Sequence, residues 1–518
     1  MQIDAICVNQ ADSAERSAQV IRMRAIYAGA KEVLVAADAA ITGKCDELVP
    51  ILNLIEPTLG PTGQKAQVAD LLNTMRVNSA VETLCNDSYW SRLWIIQEFA
   101  LGAKAKILFG SNVVDADRVK WLLDVVVTKM EHRHRDRMHN LYSIRRAWQS
   151  DTPLQLIQLL HRTSGSRCSV RHDRVFGLVG LSPDALRYLP EPDYETDLIT
   201  STLAMTRAYI EKTSVDLILL APHRMRVPAL PSWSVDFFNL DQHPFEERTF
   251  SLVVRRQMHR VTPSDVGNPK IRYEYRTQQP RSWTATEGIP SHITFRGNTM
   301  QTSAGRIGAI RILGKVWSDP IDCGFPTHDS TWGRVAKTSH LLTEMATLML
   351  HSHNSDNIEG YSLVKVFLAS HGAYDAEHSD ADLQRWICGN RNFFTGVRSL
   401  EELAESLPHP LLSYGLKTYA ILRDDINESR LGVFHYLASR AKEDMRMMCL
   451  DAGPKMRTGW AAKGAMLHDE VFLIPGCSSP VILRKNDNGR YQVVGDAIVY
   501  GGIWSQLNAD DISHIEII

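Results

Sequence analysis

The sequence predicts an α/β N-terminal domain built on a parallel sheet, then an α-rich region, then a small C-terminal antiparallel β module. Three observations predict it. First, β-favouring apolar runs at residues 2–8, 33–37 and 105–110 alternate with helical periodicity, the strand–helix–strand order of a right-handed crossover. Second, apolar residues recur at helical spacing over 115–165 and again over 332–425. Third, short β-favouring runs between 446 and 502 are broken by Pro475-Gly476 and Asn488-Gly489, the punctuation of hairpins.

A chain of 518 residues exceeds one small domain at roughly 150 residues each. The expected division is 1–180 (α/β), 181–330 (mixed, with strands and an irregular insert), 331–430 (helical) and 431–518 (β module). Hydrophobic residues at 44% and charged residues at 22% are ordinary globular values. A net charge of −2 supplies no field that would draw in nucleic acid or an anionic membrane, and no apolar run reaches the ~20 residues of a membrane span. No partner of either kind is expected. The eight cysteines are scattered, without a CxxC pair, which fits free thiols in a reducing compartment. With no secretory signal at Met1, the expected location is the cytoplasm. His351 and His353 lack a third ligand nearby in sequence, so no metal is expected.

In chain order, Asp12 and Glu15 read as a capping box opening a helix whose inward face is Val20, Met23, Tyr27 and Ala30. The apolar run 33–37 reads as a strand covered on both faces. Two helices around a turn from Pro57 to Gly63 fill 43–84. Residues 89–101 then read as one buried helix, apolar almost all round, with Trp90, Trp94, Glu98 and Leu101 on a shared face. A carboxylate there is costly unless paired, hydrogen-bonded or protonated. Glu98 is therefore either a satisfied structural acid or a working one, at even odds on this reading.

Residues 131–139, dense in His and Arg, read either as a phosphate contact or as a solvated helix face; the interruptions Glu131 and Asp136 favour the second. Asp173 opens an apolar helix that Gly180 stops. Residues 231–237 read as an aromatic extended segment, 241–290 as an irregular insert, and 310–317 as a strand. Walker, GxGxxG, HExxH and GxSxG motifs are absent.

Three blocks in this order carry a resemblance: Ile3 to Gln10 (IDAICVNQ), Glu15 to Val20 (ERSAQV) and Tyr89 to Leu101 (YWSRLWIIQEFAL). Together they resemble the fungal heterokaryon-incompatibility (HET) domain, whose corresponding blocks read WIDAICINQ, ERxxQV and W[ST]RxWxxQE. Residues 168–181 resemble the family's DPRDKVYALLGL block, departing from it at Val170-Arg171-His172, and Pro231-Ser232-Trp233 resembles its PSW segment. By this resemblance an LSYxWG-type strand and a helix would precede Ile3. The expectation is a sheet lacking its first strand, through either a truncated gene model or a degenerate copy.

The HET fold is similar to the Toll/interleukin-1-receptor (TIR) domain, a flavodoxin-like parallel sheet. Enzymes of that relative cleave the nicotinamide–ribose bond of NAD with a glutamate in a block resembling SxWCxxEL. The resemblance therefore implies a catalytic role for Glu98, a ligand-binding role for Trp94, Asn9 and Gln10, and NAD as a substrate, with no resident cofactor. It also implies nonself recognition and programmed cell death, with other incompatibility proteins or self-association as partners. The alternatives are a non-catalytic interaction or scaffold protein, and an inactive truncated remnant.

Overall fold

The computed structural model describes residues 8–9, 11–55, 75–125, 132–189, 191–221, 229–242, 244–245, 249–250, 253–254, 291–314, 394–395, 398–399, 445–451, 456–499 and 512–518. Residues 2–7 of the expected strand 2–8, the Pro57–Gly63 turn, Gln10, His351, His353 and nearly all of 241–290 and 332–425 lie outside these residues. The chain divides into two compact units: Met1–Ala208 with Asp236–Phe245, and Tyr209–Val235 with Glu246–Ile518.

The first unit opens on helix α1 (Ser13–Ala28), capped by Asp12, whose side chain accepts from the Glu15 amide at 3.0 Å. Glu15 Oε1 in turn accepts from the Asn9 amide at 3.4 Å, so the cap is reciprocal but reaches one turn further back than a standard box. Val20 and Met23 are buried as expected, with Tyr27 half-buried.

Strand β1 (Val33–Val35) pairs in parallel with β2 (Ala105–Phe109), and β2 pairs antiparallel with β3 (Asn112–Asp115). The result is a mixed three-stranded sheet. β1 corrects one expectation: Val33 and Val35 are buried, but Leu34 between them is 55% exposed. An apolar run of three residues does not reveal whether its middle side chain finds a cover. Between β1 and β2 run α2 (Asp38–Ile41), α3 (Leu48–Leu54) and α4 (Met75–Cys85). After β3 come α6 (Ala116–Val125), α7 (His132–Gln149), α8 (Leu156–Arg162), α9 (Asp173–Val179), α10 (Ala185–Tyr188) and α11 (Leu198–Lys212), α5 being the helix taken up next.

The stretch 89–101 is the second correction. It is two pieces: a 3-10 turn, Ser88–Ser91, and the short helix α5, Ile95–Leu101. Asp87 caps the turn, accepting from the Tyr89 amide at 2.8 Å and from the Ala39 amide at 2.5 Å. Arg92 is extended and bridges to Arg167 in strand fashion, with the Leu93 amide donating to the Arg167 carbonyl at 2.9 Å. This tertiary pairing outcompetes the next helical hydrogen bonds and breaks the rod. Trp90 and Glu98 therefore do not share a helix face; Trp94 and Glu98 remain neighbours, one turn apart.

One buried arginine, Arg145, ties the segment down, and a second, Arg174, holds the loop just before Arg167. Arg145 donates to the carbonyls of Phe99, Gly102 and Ala103 at 2.6, 2.7 and 3.2 Å, placing a cation on the carbonyl end of α5. Arg174 donates to those of Thr163, Ser164 and Ser166.

The second unit holds a large, mainly antiparallel sheet. Its strands are β4 (Ile293–Arg296), β5 (Thr299–Leu313), β8 (Met445–Asp451), β9 (Met456–Ala462), β10 (Glu470–Leu473), β11 (Val481–Lys485), β12 (Tyr491–Val499) and β13 (Ile512–Ile517), with β6 (Phe394–Thr395) and β7 (Arg398–Ser399) forming a separate pair. The expected β tail is present, and it enlists β5 from far upstream. Pairings β5–β8, β8–β9, β9–β12, β12–β11, β11–β10 and β10–β5 close a ring. Closure removes open edges. Inside it pack Ile310, Met448, Leu450, Val471, Ile482 and Val494. Gly476 takes φ +92° at the predicted turn, a conformation glycine adopts without a Cβ penalty. The pair β6–β7 lies within a stretch whose sequence predicts helix.

Candidate functional site

Glu98 sits in the first turn of α5, half-buried, and accepts from the Tyr89 hydroxyl at 3.4 Å through Oε2. Tyr89 lies on the 3-10 turn that precedes the break, so the kink at Arg92 is what folds this phenol back toward Glu98. Burial pushes the Tyr89 hydroxyl well above its ordinary pKa, and the Glu98 charge adds to the effect. It stays a proton donor at any physiological pH.

Trp94 caps the same helix and is also half-buried. Its indole N–H is committed elsewhere, donating to Asp173 Oδ2 at 3.1 Å. Beside it, Gln97 is fully buried and donates to the Gly177 carbonyl at 2.8 Å. A Cβ on Gly177 would stand 3.0 Å from Leu93, so that glycine is what lets α9 approach α5 closely.

Asn9 is exposed; its side chain accepts from the Ala11 amide at 3.1 Å and its carbonyl from the Asp12 amide at 3.1 Å. It organises the turn into α1. The structure brings Trp94 and Glu98 together one turn apart and sets Asn9 at the entrance to a neighbouring helix.

The polar centre that sequence reading did not find is Asp173. Its carboxyl is 8% exposed and accepts from Trp94 at one oxygen and from the Tyr194 hydroxyl at the other, the latter at 2.5 Å. Burial raises its pKa, against the lowering effect of the two hydrogen bonds and of Arg16 and His172. The Arg16 guanidinium lies 4.4 Å from the Tyr194 ring centre, and Phe176 meets that ring edge-on at 5.0 Å. Asp173 opens α9 as the sequence predicts, but it does not cap it: the N-cap position is His172, without a side-chain cap, and the Asp173 carboxylate is turned to the two aromatic donors. Tyr194 carries no local signal; only its position across the fold makes it a partner.

No group of three or more His, Cys, Asp or Glu among the described residues is arranged to hold a metal ion, and no helix among them is long and apolar enough to cross a membrane.

The first unit is thus a small α/β domain in which an aromatic and carboxylate cluster is assembled from α1, α5, α9 and the loop before α11. Residues 2–98, Glu98 among them, match the family model described as Heterokaryon incompatibility protein (HET), so this stretch is similar to that family. A curated relative, "Heterokaryon incompatibility protein 6, OR allele" of Neurospora crassa, is 25% identical over 265 residues. That alignment covers 40% of this chain and 38% of the relative. No solved structure matches the chain.

Proposed function

We propose that this chain acts in fungal heterokaryon incompatibility, as a nonself-recognition protein whose HET domain triggers programmed cell death by hydrolysing NAD. What carries the reading is the HET match over residues 2–98, together with the half-buried placement of the Glu98 carboxylate beside Trp94 and Tyr89. In the proposed step water adds hydroxide to the ribose C1′ and gives up a proton. The C1′–N bond breaks, and its electron pair goes to the nicotinamide nitrogen. Positive charge grows on the ribose meanwhile, and a carboxylate removed from bulk water stabilises that charge strongly. Trp94, Asn9 and Gln10 are the proposed ligand contacts. A TIR-like, flavodoxin-like frame fits the parallel pair β1–β2, a cytoplasmic location fits the scattered free thiols, and self-association or a second incompatibility protein would complete the signal. The division at 180, 330 and 430 belongs to the same proposal.

The test is NAD content after induced expression. The unaltered chain is expected to deplete it and Glu98→Gln to leave it near the uninduced level; equal depletion by both removes Glu98 from the chemistry.

One observation favours a scaffold instead. Leu34 and Val113 are each 55% exposed on the three-stranded sheet, the kind of apolar surface that binds partners. Cell death that survives Glu98→Gln and is lost in Leu34→Asp would select that reading.

A further inference from the structure

The cluster around Asp173 is closed by the protein's own chain. Residues 191–197 form a strap whose acids Glu191, Asp193, Glu195 and Asp197 are exposed, with Tyr194 turned inward between them. The strap supports itself locally: the Glu195 amide and the Thr196 hydroxyl both donate to Asp193, at 2.8 and 2.5 Å. Pro192 is buried, the Phe176 and His172 rings pack against the phenol, and polar contacts also hold the strap to the body. The Tyr194 hydroxyl donates to Asp173, the Tyr194 amide reaches Ser17 Oγ at 3.4 Å, and the Thr196 carbonyl meets the His172 ring at 2.8 Å.

Beneath the tyrosine lie groups that Tyr194 uses incompletely. Asp173 is a buried carboxyl whose hydrogen-bond donors are both neutral. Arg16 stacks on the phenol ring, and its Nε is buried with no hydrogen-bond partner among the described residues. A buried donor with an unmade hydrogen bond is unfavourable. Trp94 contributes a half-buried indole beside Asp173. A carboxylate for hydroxyls, a guanidinium for an anion and an aromatic wall form the recognition set for a ribose bearing phosphate.

We infer that Tyr194 occupies a ribonucleotide-binding site in a closed state of the HET domain, its hydroxyl standing on Asp173 where a ribose hydroxyl binds when the strap lifts. Arg16, released from the ring, meets the phosphate. The exposed acids of the strap repel the same phosphate, so strap and ligand exclude each other. Affinity in the resting protein is lowered by the fraction of molecules that are closed. The inference rests on the nucleotide-directed reading of the HET domain and names the group that binds, as distinct from Glu98, which acts on the bond.

The experiment measures binding, so it stands apart from turnover. ADP-ribose, which has the hydroxyls and phosphates but no scissile nicotinamide bond, is titrated calorimetrically into the full chain. Tyr194→Ala is expected to bind at least tenfold more tightly than the unaltered chain. Adding Asp173→Asn to Tyr194→Ala should abolish that gain, and adding Glu98→Gln should leave it in place. Adenosine, which keeps the diol without phosphate, should show less than half of the gain on a logarithmic scale. A folded Tyr194→Ala chain that binds no better overturns the inference. If that variant does not fold, Tyr194→Phe, which keeps the ring and loses the hydroxyl, must bind at least threefold more tightly. Unchanged binding, or failure of both variants to fold, makes Tyr194 a structural residue and ends the proposal. Tight binding without NAD loss would count against Glu98 alone.

Discussion

Among the described residues, Asp216 in the second unit is as fully enclosed as any acid, and Asp173 in the first is nearly so, at 0% and 8% exposure. Their partners differ. Asp216 accepts from the backbone amide of Ser478 at 2.5 Å, from that residue's hydroxyl at 2.9 Å and from Ser214 at 3.1 Å. Asp469 in the same unit holds Arg484 through two nitrogens, each at 2.8 Å, and accepts from the Met466 amide at 2.8 Å. Those acids are pinned by main chain and by an ion pair. Asp173 is held by an indole and a phenol, side chains that rotate away without unmaking a strand. The β unit spends its buried charge on fixing turns, whereas the α/β unit keeps a carboxyl behind a removable ring.

The comparison is sharpest where the expected effects are largest. Asp469→Ala leaves Arg484 without its carboxylate. Breaking a buried pair costs ~3–5 kcal/mol, and because Arg484 is 35% exposed the lower end, about 3 kcal/mol, is expected in chemical denaturation of the second unit. Asp216→Ala strands the Ser478 amide and should cost about 2 kcal/mol by the same measurement. Trp94→Phe removes one neutral donor from Asp173 and should cost only about 1 kcal/mol. If Trp94→Phe proved the most damaging of the three, the contrast between pinned and releasable acids would collapse.

A smaller effect is read from pH. Burial holds the Asp173 carboxyl above its ordinary value of 3.8, so over the interval just above that value the folded chain keeps a proton that the unfolded chain has given up. The group's stabilisation is therefore full below 3.8 and is lost as pH rises through the folded value. The stability of the unaltered chain relative to Asp173→Asn should fall across that interval, and a flat difference would show the carboxyl to be unperturbed. Least in size are the thiols. Burial pushes Cys85 and Cys449 up to about 12 and Cys45 to about 11. None should react with iodoacetamide at neutral pH until the protein is denatured; rapid labelling of the native chain would mean that these interiors open.

What could be read locally was read correctly where local physics decides. Asp12 caps α1, Gly180 ends α9, and Gly476 turns the β10–β11 hairpin, because each is settled by residues within one turn of chain. The site was only half legible. Trp94 caps the seven-residue helix α5 and Glu98 lies in its first turn, so their i, i+4 relation holds. Trp90 was wrongly placed with them because the break at Arg92 comes from Arg167, 75 residues further along. Tyr194 and Asp173 are 21 residues apart, and nothing in either neighbourhood says that a phenol will donate to that acid.

The sequence by itself determined the α/β start, the HET signature, the helical stretch after β3 and the hairpin-rich tail, since periodicity, caps and turn residues act over a few positions. Tertiary structure alone decided that β5 would close the β tail into a ring and that α5 would begin only at Ile95. It also decided that Asp173 would be sealed by Tyr194. Those outcomes depend on which distant groups meet once the chain has collapsed, and hydrogen bonds formed across the fold outweigh the weak preferences that a short stretch carries alone.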